Sequence, residues 1–544
     1  MFSRVISAAV YGIDAYIVNV ETDVGFGLPT FDMSGALGSK VREAKDRVRV
    51  AIKNSGIELT PQKIVINISP ANIRKEGTIY DLPIAIGILA ANGCFDLKIL
   101  ENVLIIGEVS LDGSINPVKG VLPMVCAAKE AGIDNCIIPK ANIAEGRIIN
   151  NINIYGVETL SQTIEILKNI AVIDGSRKNI KQADVKSGEC NKSDGNINND
   201  TYNVLERSRV KFTYGSEVKN NNHSCSYNID YSDISGQEAA KRATMIAVSG
   251  MHNIMYIGPP GSGKTMLAPT IMPDMDYEEQ LRLTKIYSVA GLLDSEGGIM
   301  VKRPFRNPHH TITQAALLGG GAVPRPGEIT LSEGGVLFLD EMTEFNQVIM
   351  EALRQPLEDK VITLVRVNAA YTYPAHFMLA AAINPCKCGY YPDRNRCHCS
   401  EYDIRRYIGR ISNPMWDRFD MCVKVDEVSY EVMRNKGNVD TIYNSTDMKN
   451  KVEAARQMQK DRFKKLDINY NSQMGVREIH KYCTLNVECN ELMERMYKQH
   501  HMSARAYNKV LKTARTIADL KGSVNIEKEH LTEALFYKNC EVKS

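Results

Sequence analysis

Gly258-Pro259-Pro260-Gly261-Ser262-Gly263-Lys264-Thr265 is the stretch that decides the fold. It fits the spacing G-x-x-x-x-G-K-[ST], follows the apolar run Ile254-Met255-Tyr256-Ile257 and precedes the helix-forming Met266-Leu267-Ala268. A buried strand, a glycine loop and a helix start, in that order, build a phosphate cradle. The glycines let successive backbone N–H groups turn toward a phosphate chain, and the helix dipole adds favourable potential. All eight residues are therefore expected to bind nucleotide, with Lys264 reaching the β- and γ-phosphates and Thr265 holding Mg²⁺.

Working outward, Gly334-Gly335-Val336-Leu337-Phe338-Leu339-Asp340-Glu341 reads as a hydrophobic strand tipped by two carboxylates. Asp340 is expected to hold the Mg²⁺ and Glu341 to activate the attacking water, so hydrolysis is expected and not binding alone. The run Phe377 to Ile383 reads as another buried strand ending at Asn384, whose amide can orient the water and sense the γ-phosphate. Further on, Arg410 and Arg418 compete for a different task, that of reaching a neighbouring subunit's γ-phosphate.

These elements lie in residues 228–428, where apolar strands alternate with helices, the pattern of an α/β domain with a mainly parallel sheet. From 429 to 544 the sequence is polar, amphipathic and poor in glycine, with helices expected over Met448–Leu466 and Ser503–Leu520. Residues 173–227 shift to Asn, Ser, Lys and Asp and read as a flexible linker. Residues 1–172 mix short β-like runs, such as Lys63–Ile68 and Val103–Ile106, with helices. The alternation at Tyr16–Val20 reads as the first strand, and Leu82–Ala91 as a buried helix. The helix Lys40–Ser55 carries Lys40, Arg42, Lys45, Arg47, Arg49 and Lys53 on one face, either a solvated face or a nucleic-acid contact.

The whole chain has 544 residues, which at about 150 per domain allows three or four domains. Its 44% hydrophobic and 24% charged residues exclude wholesale disorder and collagen-like structure. Lys+Arg 66 against Asp+Glu 64 leaves a net charge of +2, so any polyanion-binding surface must be local. No apolar run reaches the roughly 18 residues of a membrane span, and Arg4-Val5-Ile6-Ser7-Ala8-Ala9-Val10 is too weakly charged and too short for a signal peptide. The protein is expected to be cytoplasmic. The 13 cysteines, an odd number, argue against a disulfide framework.

Four cysteines cluster. Cys386-Lys387-Cys388-Gly389 and Cys397-His398-Cys399 offer two thiol pairs that can give Zn²⁺ four tetrahedral ligands. A reduced, metal-free cluster and His398 as a substitute ligand are the alternatives. Between the pairs, Tyr390, Tyr391, Arg394 and Arg396 form a basic-aromatic mix suited to nucleic acid.

The loop 258–265, the Asp340-Glu341 strand and Asn384 together resemble the AAA+ ATPase core. Pro304-Phe305-Arg306-Asn307-Pro308-His309-His310 and Pro324-Arg325-Pro326-Gly327-Glu328-Ile329 resemble segments of its magnesium-chelatase branch that face the ring pore. The chain as a whole, except the linker, is similar to the YifB/ComM family of Mg-chelatase-like competence ATPases. That resemblance implies an α/β AAA+ core, an α+β Lon-protease-like N-terminal domain and an all-α C-terminal lid. It also implies a hexameric ring, Arg418 as the trans-acting arginine finger and Arg505, in Ser503-Ala504-Arg505-Ala506-Tyr507, as the sensor on the lid. Where Lon-type proteases carry a Ser–Lys dyad, this sequence has Ile84 in Tyr80-Asp81-Leu82-Pro83-Ile84-Ala85 and Leu122 beyond Gly107–Gly113, with Lys119 out of place. No peptidase activity is expected.

Family likeness implies a DNA motor for helicase or branch-migration work in recombination of incoming DNA, alongside recombination proteins. The competing expectation is a chelatase-like remodeller of a protein partner. A tetrapyrrole chelatase is disfavoured because no acidic-proline linker or integrin-like metal motif is found, and a nucleotide-binding scaffold because Lys264, Asp340 and Glu341 are intact.

Overall fold

Two parallel or mixed sheets, each built from short apolar runs, set the architecture of this computed structural model. It describes residues 1–170, 230–428 and 443–538, apart from 269, 294–297, 322–323 and 367–368. The linker expected at 173–227 lies outside the described residues, as does the boundary at 428/429 on its C-terminal side.

In the N-terminal part, seven strands lie side by side in the order Phe31–Ser34, Lys63–Ser69, Asp14–Gly25, Phe2–Tyr11, Val103–Ile105, Asn135–Pro139 and Asn153–Val157. The first strand of the chain is therefore Phe2–Tyr11, not the expected Tyr16–Val20, which falls in the second. The stretch Arg4–Val10 pairs antiparallel with Asp14–Gly25, from Phe2↔Asp23 to Tyr11↔Asp14, so its apolar residues serve a sheet. Asp81–Ala91 is a helix with every residue buried, packed on these two strands. The basic helix is interrupted once, at Glu43, into Ser39–Arg42 and Ala44–Asn54.

The second sheet has five strands in the order Phe305–Arg306, Val336–Leu339, Met378–Ile383, Ile254–Ile257 and Met421–Lys424, every neighbouring pair parallel. A parallel sheet covered on both faces needs continuous apolar runs rather than alternation, and Val336–Leu339 and Met378–Ile383 are buried throughout. Their side chains divide between two cores. Tyr256, Phe338, Ala380 and Ala382 join one; Met255, Leu337, Leu339, Ala381 and Ile383 join the other.

The C-terminal helices Ser445–Phe463, Val476–Tyr482, Val487–Gln499, Ala504–Leu520 and Lys528–Lys538 close over one face of this sheet. Met448, Val452, Leu511, Ala514 and Ile517 share a single core with helix Glu238–Gly250 and the strands beneath it. Among the described residues no helix is long and apolar enough to cross a membrane.

The two sheets are joined by direct contacts along helix Tyr277–Ala290, which packs on helix Val121–Glu130. The Ser288 hydroxyl donates to the buried Glu145 carboxylate, which also accepts the Leu122 N–H at 2.8 Å. Lys285 meets Asp14 at 3.1 Å, and the Tyr11 hydroxyl donates to the Ala370 carbonyl at 2.6 Å.

Candidate active site

Strand order decides which side chains can meet. Ile254–Ile257 lies between Met378–Ile383 and Met421–Lys424, and the acidic strand lies one further out. Because all run parallel, Gly258, Asn384 and Asp340 emerge at the same C-terminal edge, where open α/β sheets bind ligands. The Gly258 N–H donates to the Ile383 carbonyl at 3.2 Å, which fixes the start of the loop against the end of the Asn384 strand.

Within the loop, Gly263 has φ of 82°, a left-handed turn that turns the chain back at low cost only for glycine. The Lys264 ammonium donates to the Gly258 and Pro259 carbonyls at 2.8 and 2.7 Å and to Asn384 Oδ1 at 3.0 Å. Burial lowers its pKa to about 8, against the opposing pull of Asp340 and Glu341. The Thr265 hydroxyl donates to Asp340 Oδ2 at 2.8 Å. A hydroxyl and a carboxylate so close form a hard-oxygen pair that suits Mg²⁺ with waters and phosphate completing its shell. Asp340 and Thr265 would hold the ion, which would neutralise phosphate charge when bound.

Glu341 adopts φ of 49°, a left-handed conformation costing roughly 1–2 kcal/mol in a residue with a Cβ. Its N–H donates to Asp340 Oδ1 at 3.0 Å and its side chain is exposed. The chain thus turns sharply after Asp340 and separates the two acids into different positions, one beside Thr265 and one at the open edge.

The helix expected after the loop does not form among the described residues. Residues 264–268 form a turn, with the Leu267 N–H bonded to the Gly263 carbonyl at 3.2 Å. Pro269 and Pro273 follow in the sequence, and proline neither donates to a helix nor tolerates a helical predecessor. A phosphate at this loop would be drawn by the loop N–H groups and Lys264 more than by a helix macrodipole.

The two candidate arginine fingers are placed at opposite ends. Arg410 meets Glu344 at 2.9 Å, three residues past Glu341 at the same edge as Gly258 and Asn384. Arg418 precedes strand Met421–Lys424, and its backbone carbonyl accepts from the Asn253 side chain just before Ile254, so it sits at the opposite, N-terminal edge. The four residues Ile254–Ile257 separate that edge from the phosphate loop by about 13 Å at 3.3 Å per residue.

Arg505 joins Arg418, not Lys264. One carboxylate oxygen of Glu358 accepts Arg418 at 2.5 Å and Arg505 at 2.9 Å. Both arginines line a cavity of about 680 Å³ with Lys360, Lys509 and Lys512. Burial depresses all three lysines, and Asp420 meets Lys509 at 3.0 Å. Although burial opposes it, Lys509 and then His252 hold the Asp420 carboxylate well below its usual range. Glu358 was not legible in the sequence, where it is one of two adjacent acids that close Arg354–Asp359.

Next to Asn384 stands the thiol cluster. Cys386, Cys388, Cys397 and Cys399 bring their Sγ atoms within 4.8 Å of one another, while His398 is exposed and outside the group. In the loop between them, Arg396 lies 3.9 Å over the Tyr390 ring and pairs with Glu427, and Arg394 lies 5.1 Å over Tyr391. These guanidinium groups already have partners within the chain, which weakens the nucleic-acid reading of this loop.

The pore-facing candidates are tied to each other, Arg306 of the first segment gripping Glu328 of the second at 2.6 Å. In the N-terminal part, Ile84 and Leu122 are wholly buried and Lys119 packs against Gly291 of the other sheet's domain. Asp81 is held by Arg47 at 2.8 Å, so Arg47 leaves the basic helix face, whereas Lys40, Arg42, Lys45, Arg49 and Lys53 stay exposed.

A five-stranded parallel sheet with this strand order, carrying loop, acid and amide at one edge beneath a helical C-terminus, defines an AAA+ domain of the magnesium-chelatase type. Family models agree: Magnesium chelatase, subunit ChlI matches residues 230–433, Subunit ChlI of Mg-chelatase 20–142, and Magnesium chelatase, subunit ChlI C-terminal 443–538. The chain belongs to the YifB/ComM family. It is 35% identical over 536 residues to "Competence protein ComM" of Haemophilus influenzae, covering 98% of this chain and 97% of that protein. It is 36% identical over 539 residues to "Uncharacterized protein YifB" of Escherichia coli, covering 98% and 97%. "Lon protease 2" of Bacillus subtilis is 33% identical over 145 residues, 25% of this chain and 26% of that protein. Membership of this AAA+ family implies ATP, Mg²⁺ and assembly into oligomers.

Proposed function

We propose that this protein is a ring-forming, hexameric ATPase motor that moves on DNA in the cytoplasm, serving helicase or branch-migration work with recombination proteins. Similarity to a competence protein over 98% of the chain carries the reading, since competence is the uptake of DNA. Each copy binds MgATP on residues 258–265 and Asp340. Glu341 takes a proton from the attacking water, Asn384 orients that water, and Lys264 stabilises charge on the phosphates. Arg418 and Arg505, about 13 Å of strand away at the other edge, complete the site of the next copy. Lys40, Arg42, Lys45, Arg49 and Lys53 offer phosphate contacts that salt would weaken.

A second reading, a remodeller of a protein partner, is favoured by the magnesium-chelatase models that match all three parts of the chain. The test is ATPase rate with no DNA and with single-stranded, duplex and branched DNA, using Glu341→Gln as the control. Stimulation that is greatest with branched DNA and lost at high salt supports the DNA motor. Turnover indifferent to every DNA supports the remodeller.

A further inference from the structure

The segment from Asn384 to Gly389 touches the nucleotide site twice. At its start, Asn384 Oδ1 accepts the Lys264 ammonium at 3.0 Å. At its end, Gly389 turns back with φ of 88°, its N–H donating to the Cys386 carbonyl at 3.0 Å. A Cβ on Gly389 would come within 2.3 Å of Cδ and 3.0 Å of Cγ of Pro260, in the phosphate loop. The knuckle backbone therefore lies directly on the Pro260 ring, a contact that only glycine permits.

What holds the knuckle is the group of four thiols. Cys386 Sγ lies 3.3 Å from Cys388 Sγ and 3.7 Å from Cys397 Sγ, and the last two are 3.6 Å apart. A disulfide requires about 2.05 Å, so none of these pairs is bonded. Four sulfurs each about 2.3 Å from one tetrahedral ion stand about 3.8 Å apart, close to these three separations, and Cys399 Sγ lies within 4.8 Å of the other three. The donor set is four thiols with two of them, Cys386 and Cys397, buried, which leaves no open position for a substrate.

We propose that Cys386, Cys388, Cys397 and Cys399 hold one structural Zn²⁺ whose task is to brace the phosphate loop, through Gly389 on Pro260 and Asn384 beside Lys264. ATP affinity then depends on the metal, although the metal never touches the nucleotide. This rests on the reading of residues 258–265 as the ATP site.

The experiment uses the full chain purified without chelator, with metal content by mass spectrometry, cobalt uptake by thiolate absorption, and affinity from titration with a fluorescent ATP analogue. Wild type should carry about one zinc per chain, and Cys399→Ser should lose it and bind nucleotide about tenfold more weakly, a difference of about 1.4 kcal/mol. Gly389→Ala keeps all four ligands and should keep its zinc while losing affinity to a similar degree. If Cys399→Ser does not fold, wild type stripped of its metal by a chelator takes its place and should lose affinity to the same degree. Wild type with neither zinc nor cobalt uptake overturns the metal site; zinc-free Cys399→Ser, or Gly389→Ala, binding as tightly as wild type overturns the brace. Lys264→Ala runs alongside: if it binds the analogue as well as wild type does, the ATP-site reading fails, and the zinc count stands apart from it.

Discussion

Raising the pH should loosen nucleotide binding, and the structure gives the size of the effect. Burial lowers the Lys264 pKa to about 8, and the charged ammonium is the form that attracts phosphate. The depressed lysine is a cation below that pH and neutral above it, so affinity is present on the acid side and fades as pH rises. From pH 7 to pH 9 the charged fraction falls from about nine-tenths to about one-tenth, a tenfold loss of affinity worth about 1.4 kcal/mol. Isothermal titration at fixed free Mg²⁺ across pH 6.5 to 9.5 reads this directly. Titrations in buffers of different ionisation enthalpy should also show uptake of about half a proton per ATP bound at pH 8, because phosphate draws the ammonium back to its charged form. Lys264→Arg, which stays charged throughout, should flatten the profile even where it weakens binding. An unchanged dissociation constant from pH 7 to 9.5, or tighter binding at high pH, would refute the burial-depressed pKa of Lys264 on which this profile rests.

Glu341→Gln should bind MgATP as wild type does but turn over about 10²–10⁴-fold more slowly, measured by steady-state phosphate release, because the base is lost and the cradle is not. Arg418→Ala should likewise keep nucleotide binding and lose about 10³-fold or more in turnover; full turnover would return the finger to Arg410. Glu145→Ala should destabilise the chain by about 1–3 kcal/mol, read as a lower midpoint in thermal or urea unfolding, because the Leu122 N–H and the Ser288 hydroxyl lose their shared acceptor.

How much of this was legible in the sequence depended on distance along the chain. The phosphate loop, the strand ending in Asp340 and the strand ending in Asn384 are local patterns, and parallel pairing then carried them to one edge without further information. The all-buried helix Asp81–Ala91 was equally legible, because its apolar run has no polar face to expose. Phe2–Tyr11 was missed as a strand since a short apolar run at a chain start reads alike as leader, helix or strand until Asp14–Gly25 pairs with it. The helix after Thr265 was over-read although Pro269 and Pro273 stood in plain view, a case where the motif outweighed the breakers beside it. Glu358 and Glu145 were out of reach altogether. Each is an ordinary acid in sequence and acquires its meaning from partners far along the chain, Arg418 and Arg505 for the first and Ser288 for the second.

The central claim is that one copy supplies the phosphate loop and the next supplies the arginines. Lys264→Ala and Arg418→Ala, each inactive alone, should be mixed in equal amounts under conditions that let subunits exchange, and ATP turnover measured. In randomly mixed rings about a quarter of the interfaces pair an intact Lys264 with an intact Arg418, so activity should recover toward about a quarter of wild type. A mixture as inactive as its two components, with exchange verified by labelled subunits, would contradict a site shared between copies.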